Sequence, residues 1–344
     1  MTNHRCQCQF VPPFVLENMA KNAIANARLS IHFSSQSRRK RSNTVVPTTV
    51  FAASPTEPTG DSQREVWDCK HQTTLRNPPI LRAEGGPASQ DEAADLVYEY
   101  AGLTRDFFLN ELGRRSIDGS GMKLVLNVHY GKDYMNAFWD GDEMVFGDGD
   151  GEVFGSFARS LDVVAHELAH GVTQYTANLE YQGQSGALNE SFSDVFGAAI
   201  TQYARKQDAG TADWLIGDEI MGPSLYGEAL RSMKSPGTAY NNALLGKDPQ
   251  PDHMRDYYTG QDDNQGVHIN SGIFNRAFYL TATTIGTDKA VRIWYHALQK
   301  LWPTTNFAEA KEVIVASARL LTKEQQAPVG ATQAVRSAFK EVGL

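Results

Sequence analysis

Five residues, His166-Glu167-Leu168-Ala169-His170, constrain the fold of this chain more than any other stretch. They lie inside an apolar, helix-forming run from Leu161 to Tyr175. On a helix, residues four apart stand one turn apart on the same face, so His166 and His170 can reach one metal ion. Glu167 sits beside the first of them, where its carboxylate can approach a metal-bound water rather than the metal. A catalytic zinc takes three protein ligands and keeps a fourth position for water. The pattern therefore calls for a second element that brings one more ligand to this helix.

Glu190 is placed to supply it. Nineteen residues separate it from His170, and the polar run Gln182-Gly183-Gln184-Ser185-Gly186 reads as a link between two packed helices. Glu190 and Asp194 again share one helix face. With Glu190 as third ligand, Asp194 can accept a hydrogen bond from the far nitrogen of a ligand histidine, fixing its tautomer and raising its basicity. Asn189 supports the ligands in the same way. A solvated acidic stripe is the usual fate of such a pair, but Leu188, Phe192, Val195 and Phe196 make this helix largely apolar.

Further segments carry a resemblance. Asn136-Ala137-Phe138-Trp139-Asp140-Gly141, Phe146-Gly147-Asp148-Gly149-Asp150-Gly151, Leu230-Arg231-Ser232-Met233 and the stretch from Asp263 to Gly272 accompany the histidine helix. With these motifs the chain resembles the thermolysin-like zinc metalloendopeptidases from about Trp67 to its C-terminus. The resemblance implies an α+β, two-lobed zincin fold, with a mixed, β-rich N-terminal lobe over residues 67–180, a mainly helical lobe over residues 181–344, and the cleft between them. It implies one catalytic zinc on His166, His170 and Glu190, with Glu167 as general base and Tyr181 and His268 as donors to the tetrahedral intermediate. Asp263 would orient His268, and Arg231 would hold the substrate carbonyl just past the cut. Asn136 and the Ala137 backbone would bind the peptide as an added strand. Phe154, Val163, Ile216 and Leu230 would wall an apolar pocket that selects cleavage on the amino side of bulky hydrophobic residues. His129, His253 and His296 are read as structural.

Calcium is a secondary expectation. Asp162, Asp213 and Asp218 fall where many relatives carry calcium ligands, but Thr201 and Leu215 replace acidic ones, so at most one reduced site is expected. Asp148-Gly149-Asp150-Gly151-Glu152 lacks the full ligand pattern of a calcium loop and reads as a tight turn.

The first 53 residues resemble the short pro-segments of protealysin-like members of the family. Pro12-Pro13-Phe14-Val15-Leu16 matches their Pro-Pro-x-x-Leu motif, which implies that Pro12, Pro13 and Leu16 block the cleft, with Leu16 in the apolar pocket. A short helix is expected from Leu16 to Leu29. The polar stretch from Arg38-Arg39-Lys40-Arg41 to Gly60 reads as cleavable, with residues 54–66 as the linker and self-cleavage between about Ser42 and Arg64. Residues 1–60 carry a balance of +5 and the remainder −13, within a net −8, which assists docking. Cys6 or Cys8 is an alternative latency device, since thiolates bind zinc well.

The 344 residues are 41% hydrophobic and 21% charged, ordinary for a globular protein. No run is long and apolar enough to span a bilayer, no basic and aromatic patch suggests nucleic acid, and no secretory signal pattern opens the chain. Three cysteines make no disulfide framework. Synthesis in the cytoplasm is expected, with export by an unconventional route left open. The function expected is a zinc endopeptidase made as a latent precursor, acting on peptides or proteins and on its own pro-segment. The alternatives are a catalytically silent binding protein on the same fold, and an exopeptidase.

Overall fold

A computed structural model describes residues 3–4, 8–42, 45–46 and 62–344. Cys6 and most of the stretch expected to be cut lie outside the described residues. The fold is α+β, with its main sheet in the N-terminal half and helices dominating the C-terminal half.

Two short strands, β1 (Asn3–His4) and β2 (Val45–Val46), pair antiparallel around helices α1 (Pro13–Lys21) and α2 (Ala25–Ser42). Proline suits the first turn of α1 because its φ is already helical and no amide is lost. The single helix expected over Leu16–Leu29 is broken after Lys21, where Ala23 adopts a left-handed φ of 64°. The basic run Arg38–Arg41, expected to be linker, is instead the last part of α2. Its physical reason is tertiary. Arg41 is buried, donates to the carbonyls of Cys8 and Trp139 at 3.1 and 2.8 Å, and lies over the Phe138 ring. Arg38 donates to the side chain of Gln9 at 2.5 Å.

The main sheet contains β3 (Arg64–Asp68), β4 (Ile80–Ala83), β5 (Leu124–Val128), β6 (Ala137–Trp139) and β7 (Met144–Phe146), in the order β4-β3-β5-β7-β6. The three inner strands run parallel and the two outer ones antiparallel to them. This leaves β6 as an edge facing the cleft. Helix α3 (Glu92–Leu112), capped by Asp91 accepting the Ala94 amide, packs on the sheet. The Asp148–Glu152 stretch is a turn, as expected, with Asp150 accepting three backbone amides.

Helix α4 (Leu161–Gln174) is buried on every side from Leu161 to Thr173 and packs against α5 (Gly183–Arg205). The approach is close because residue 197 is glycine; a Cβ there would lie 3.0 Å from the Asp162 carbonyl oxygen. Two small hairpins follow, β8 (Leu215–Ile216) with β9 (Arg231–Ser232), and β10 (Asn241–Asn242) with β11 (Gly246–Lys247). Helices α6 (Asp262–Ile285), α7 (Thr287–Leu298), α8 (Phe307–Lys323) and α9 (Ala331–Glu341) complete the chain. Among the described residues no helix is long and apolar enough to cross a membrane.

Candidate metal centre and cleft

α4 and α5 each present ligands one turn apart, and their packing brings the two sets together. His166 Nδ1 lies 2.8 Å from Asp194 Oδ1. A carboxylate only accepts, so Nδ1 carries the hydrogen and Nε2 offers its lone pair. His170 Nδ1 faces Asn189 Oδ1 at 2.9 Å and Ser193 Oγ at 3.1 Å. The two Nε2 atoms then face one another at 3.1 Å, with the Glu190 carboxylate 3.4 and 3.5 Å away. Burial lowers the His166 pKa to about 4, so its ring is neutral. Burial opposes the charge of Glu190, but His268, His170, His166 and Arg231 outweigh it and hold the carboxyl below its usual range.

Converging acceptors in a dry site, including a Glu190 Oε2 with no hydrogen-bond partner, need a cation between them. Ligand atoms of His166, His170 and Glu190 lie within 4.8 Å of one another. Two imidazoles and a carboxylate are the donor set of a catalytic zinc, so the residues fit the metal that the sequence implies.

Glu167 is completely buried. Its Oε2 accepts the Trp139 amide at 2.8 Å, while Oε1 has no hydrogen-bond partner. Burial pushes its pKa well above the usual carboxylate range. Across the cleft, His268 Nδ1 contacts Asp263 Oδ1 at 2.5 Å. Burial works against a charge on His268, but Asp263 and Glu190 prevail and push its pKa up to about 9. Tyr181 reaches both, donating to Glu190 and standing 3.2 Å from His268 Nε2. Asp263 gets there through local strain. Residues 263–266 all lie in the left-handed region, which turns the Asp263 carboxylate back onto the amides of His268 and Ile269. That run is a kink at the start of α6, and the regular right-handed helix follows Gly266.

The cleft holds the chain's own N-terminal segment. The Phe10 amide donates to Ala137 O at 3.1 Å, and Arg231 Nη1 donates to Phe10 O at 3.1 Å. The Val11 amide donates to Asn136 Oδ1 at 2.8 Å, and Asn136 Nδ2 returns a bond to Val11 O at 3.0 Å. His268 Nε2 lies 2.9 Å from Gln9 O. Asn136, Ala137 and Arg231 thus meet a peptide, and the segment extends edge strand β6.

The residue in the apolar pocket is Phe10, not Leu16. Its ring packs edge-on against His166 and Phe157, lies beneath Arg231, and blocks the space a Cβ on Gly217 would take. The anticipated walls Phe154, Val163, Ile216 and Leu230 are all buried, and Leu230 bonds to Ile216 across the β8–β9 hairpin. Leu16 is buried on α1, and Pro12 and Pro13 mark the start of that helix. The motif therefore locates the segment but not its plug, because the two prolines end the extended stretch rather than form it.

Gln9, Phe10, Arg41, Trp139, Phe157 and Asn275 are contributors the sequence reading missed, whereas Cys8 was anticipated as an alternative latency device. Asn275 donates to Asp194 at 2.8 Å. For Phe10 an available signal was the lone aromatic in the extended stretch just before Pro12-Pro13; the others depend on contacts between residues remote in sequence. Asp162, Asp213 and Asp218 are not brought within common reach of a cation among the described residues. Asp162 is instead bonded to Ser160 and, at 2.7 Å, to the Gly217 amide.

The profile described as thermolysin metallopeptidase, catalytic domain, matches residues 58–174, and that of the alpha-helical domain matches residues 177–344. The chain is similar to an extracellular metalloprotease of Pectobacterium carotovorum subsp. carotovorum, 47% identical over 296 residues that span 85% of this chain and 84% of that one. It is also similar to protease PrtS of Photorhabdus sp. (strain Az29), 41% identical over 97% of this chain and 91% of that one. Among solved structures it is similar to the precursor of protealysin, a metalloproteinase from Serratia proteamaculans. The TM-score there is 0.85 and the identity 42%, covering 98% of this chain and 99% of that one.

Proposed function

The chain belongs to the thermolysin metallopeptidase family and is a zinc endopeptidase made as a precursor; from that premise we propose that it cuts peptides on the amino side of bulky hydrophobic residues. The observation that carries this specificity is the seating of residues 9–11. Phe10 stands where the residue after the cut would stand, in a largely apolar pocket beneath Arg231, whose charge is paired with Asp194, with its amide on Ala137 and its carbonyl on Arg231. Each methylene buried in such a pocket is worth about 0.8 kcal/mol.

A zinc ion on His166, His170 and Glu190 would supply a water of pKa about 7 and polarise the scissile carbonyl. The protein's own groups handle the protons. Oε2 of Glu167 is fixed by Trp139, and Oε1 is left to take the proton of the attacking water. From there Glu167 can pass the proton to the leaving amine. His268 already donates toward a carbonyl, that of Gln9, in the place where an oxyanion would develop. A positioned donor of this kind is worth roughly 100- to 1000-fold in rate.

A peptide library tests the specificity. Preference for Leu, Phe, Ile or Val just after the cut is expected, and a preference for charged residues there contradicts it. Casein digestion by the wild type, abolished by a zinc chelator and by Glu167→Gln, separates an enzyme from a silent binding protein. Internal cuts in the casein separate an endopeptidase from an exopeptidase.

A further inference from the structure

The seating of the N-terminal segment raises a chemical problem. Residues 9–11 run in the direction proposed for a substrate, and the Gln9–Phe10 bond sits where hydrolysis would occur, with Gln9 O on His268 and Phe10 in the pocket. A peptide held in that register is a substrate, not an inhibitor, unless something disables the nucleophile.

Cys8 stands at the right place to do so. It is completely buried and in no disulfide. Its Sγ lies within 4.8 Å of a ring nitrogen of His170 and a carboxylate oxygen of Glu167. This second group of candidate ligands shares His170 with the first, which sets Cys8 beside the metal centre. The thiol is on the side of Glu167, whose Oε1 is buried with no hydrogen-bond partner. Cys8 is also held from outside the cleft. Arg41 binds its carbonyl and that of Trp139, whose oxygen also accepts from Sγ at 3.6 Å, and Arg38 binds the Gln9 side chain. One turn of α2 thus fixes the two residues that precede the susceptible bond.

We propose that Cys8 is a fourth zinc ligand in the precursor, a thiolate that fills the position needed by the nucleophilic water and so keeps the Gln9–Phe10 bond intact. The proposal rests on the zinc endopeptidase reading of the same site. Thiolate is a strong zinc ligand, with a zinc–sulfur distance of about 2.3 Å, and the thiol releases its proton to solvent as it binds. A site with four protein ligands is closed, as structural zinc sites are; removal of the segment opens the fourth position. α2 then serves as the clasp, and cleavage after it would free the clasp together with Cys8.

The test uses the full chain, arrested as precursor by Glu167→Gln. Zinc X-ray absorption should show one sulfur in the coordination sphere, and the cobalt-substituted protein should show a thiolate-to-cobalt charge-transfer band in the near ultraviolet. Cys8→Ala and Cys8→Ser should lose both signatures, while Cys6→Ala and Cys69→Ala keep them. With Glu167 intact, Cys8→Ala should be hydrolysed between Gln9 and Phe10, and intact-mass measurement would show loss of residues 1–9. Bound zinc with only nitrogen and oxygen neighbours overturns the proposal and leaves the endopeptidase reading standing. So does a cobalt band that survives Cys8→Ala, or an uncut Gln9–Phe10 bond in the zinc-loaded Cys8→Ala chain. A chain that binds no zinc sinks both.

Discussion

Arg231 and Asp194 form a two-point ion pair in complete burial, Nε to Oδ2 at 2.8 Å and Nη2 to Oδ1 at 2.9 Å. The same carboxylate takes the Nδ1 hydrogen of His166, and the same guanidinium binds the Phe10 carbonyl. One pair therefore couples the grip on the peptide to the orientation of a zinc ligand.

Asp194→Asn keeps the shape and removes the charge. Zinc affinity should fall roughly 10- to 100-fold, the usual effect of losing a partner of a ligand histidine. Breaking the buried pair should also destabilise the fold by about 3–5 kcal/mol. Competition with a chromogenic chelator and urea unfolding measure the two effects. Unchanged zinc affinity would remove Asp194 from the centre.

Glu167→Gln should leave zinc content unchanged and lower casein turnover by at least 100- to 10,000-fold, the range of a lost general base. Metal analysis beside the activity assay distinguishes this from a folding defect. Substantial residual activity would take the proton chemistry away from Glu167.

Phe10→Ala empties the pocket. Truncating a buried Phe costs about 3–5 kcal/mol, here taken from the docking of the N-terminal segment. The precursor should then cleave a short hydrophobic peptide before any processing, at least 100-fold faster than the wild-type precursor. Leu16→Ala should unsettle α1 without this direct effect. Equal release by the two variants would contradict the seating of Phe10.

His129 lies away from the metal centre, bridging Asp148 and Asp91 at about 2.9 Å on each side. Asp148 and then Asp91, against the effect of burial, raise its pKa to about 9. A raised histidine stabilises the fold while it is protonated. Its contribution, on the order of 2–3 kcal/mol, is full below about pH 6.5 and is lost as the pH rises through about 9. His129→Gln should lower the melting temperature at pH 6 and narrow the gap to wild type at pH 10. A constant gap across that range would refute the bridge.

Much of the metal centre was legible because helix geometry is local. His166 and His170, and Glu190 and Asp194, announce a shared face by spacing alone, and their apolar neighbours exclude a solvated one. What fills the cleft was not legible. Phe10 lies two residues before the first proline of the motif that drew attention, and its one local signal, a lone aromatic in an extended stretch, says nothing of the pocket it fills. The basic run on α2 looked like a cleavage site because its partners, the carbonyls of Cys8 and Trp139, lie far away in sequence. The left-handed turn that aims Asp263 at His268 has one glycine, Gly266, among four residues, so composition did not reveal it. The acidic residues read as calcium ligands are near enough that, after burial, Asp162 and Asp213 raise the Asp218 carboxyl, but their ligand atoms do not converge on one point among the described residues, and Asp162 is committed to Ser160 and Gly217.

The central claim is that His166, His170 and Glu190 hold the metal on which hydrolysis depends. Zinc stoichiometry of the purified chain and of Glu190→Ala, measured by mass spectrometry of the metal after dialysis against a weak chelator, tests it most directly. One zinc per wild-type chain, and loss of that zinc from Glu190→Ala, is the predicted result. Zinc retained in full by Glu190→Ala, or absent from the wild type, would contradict it.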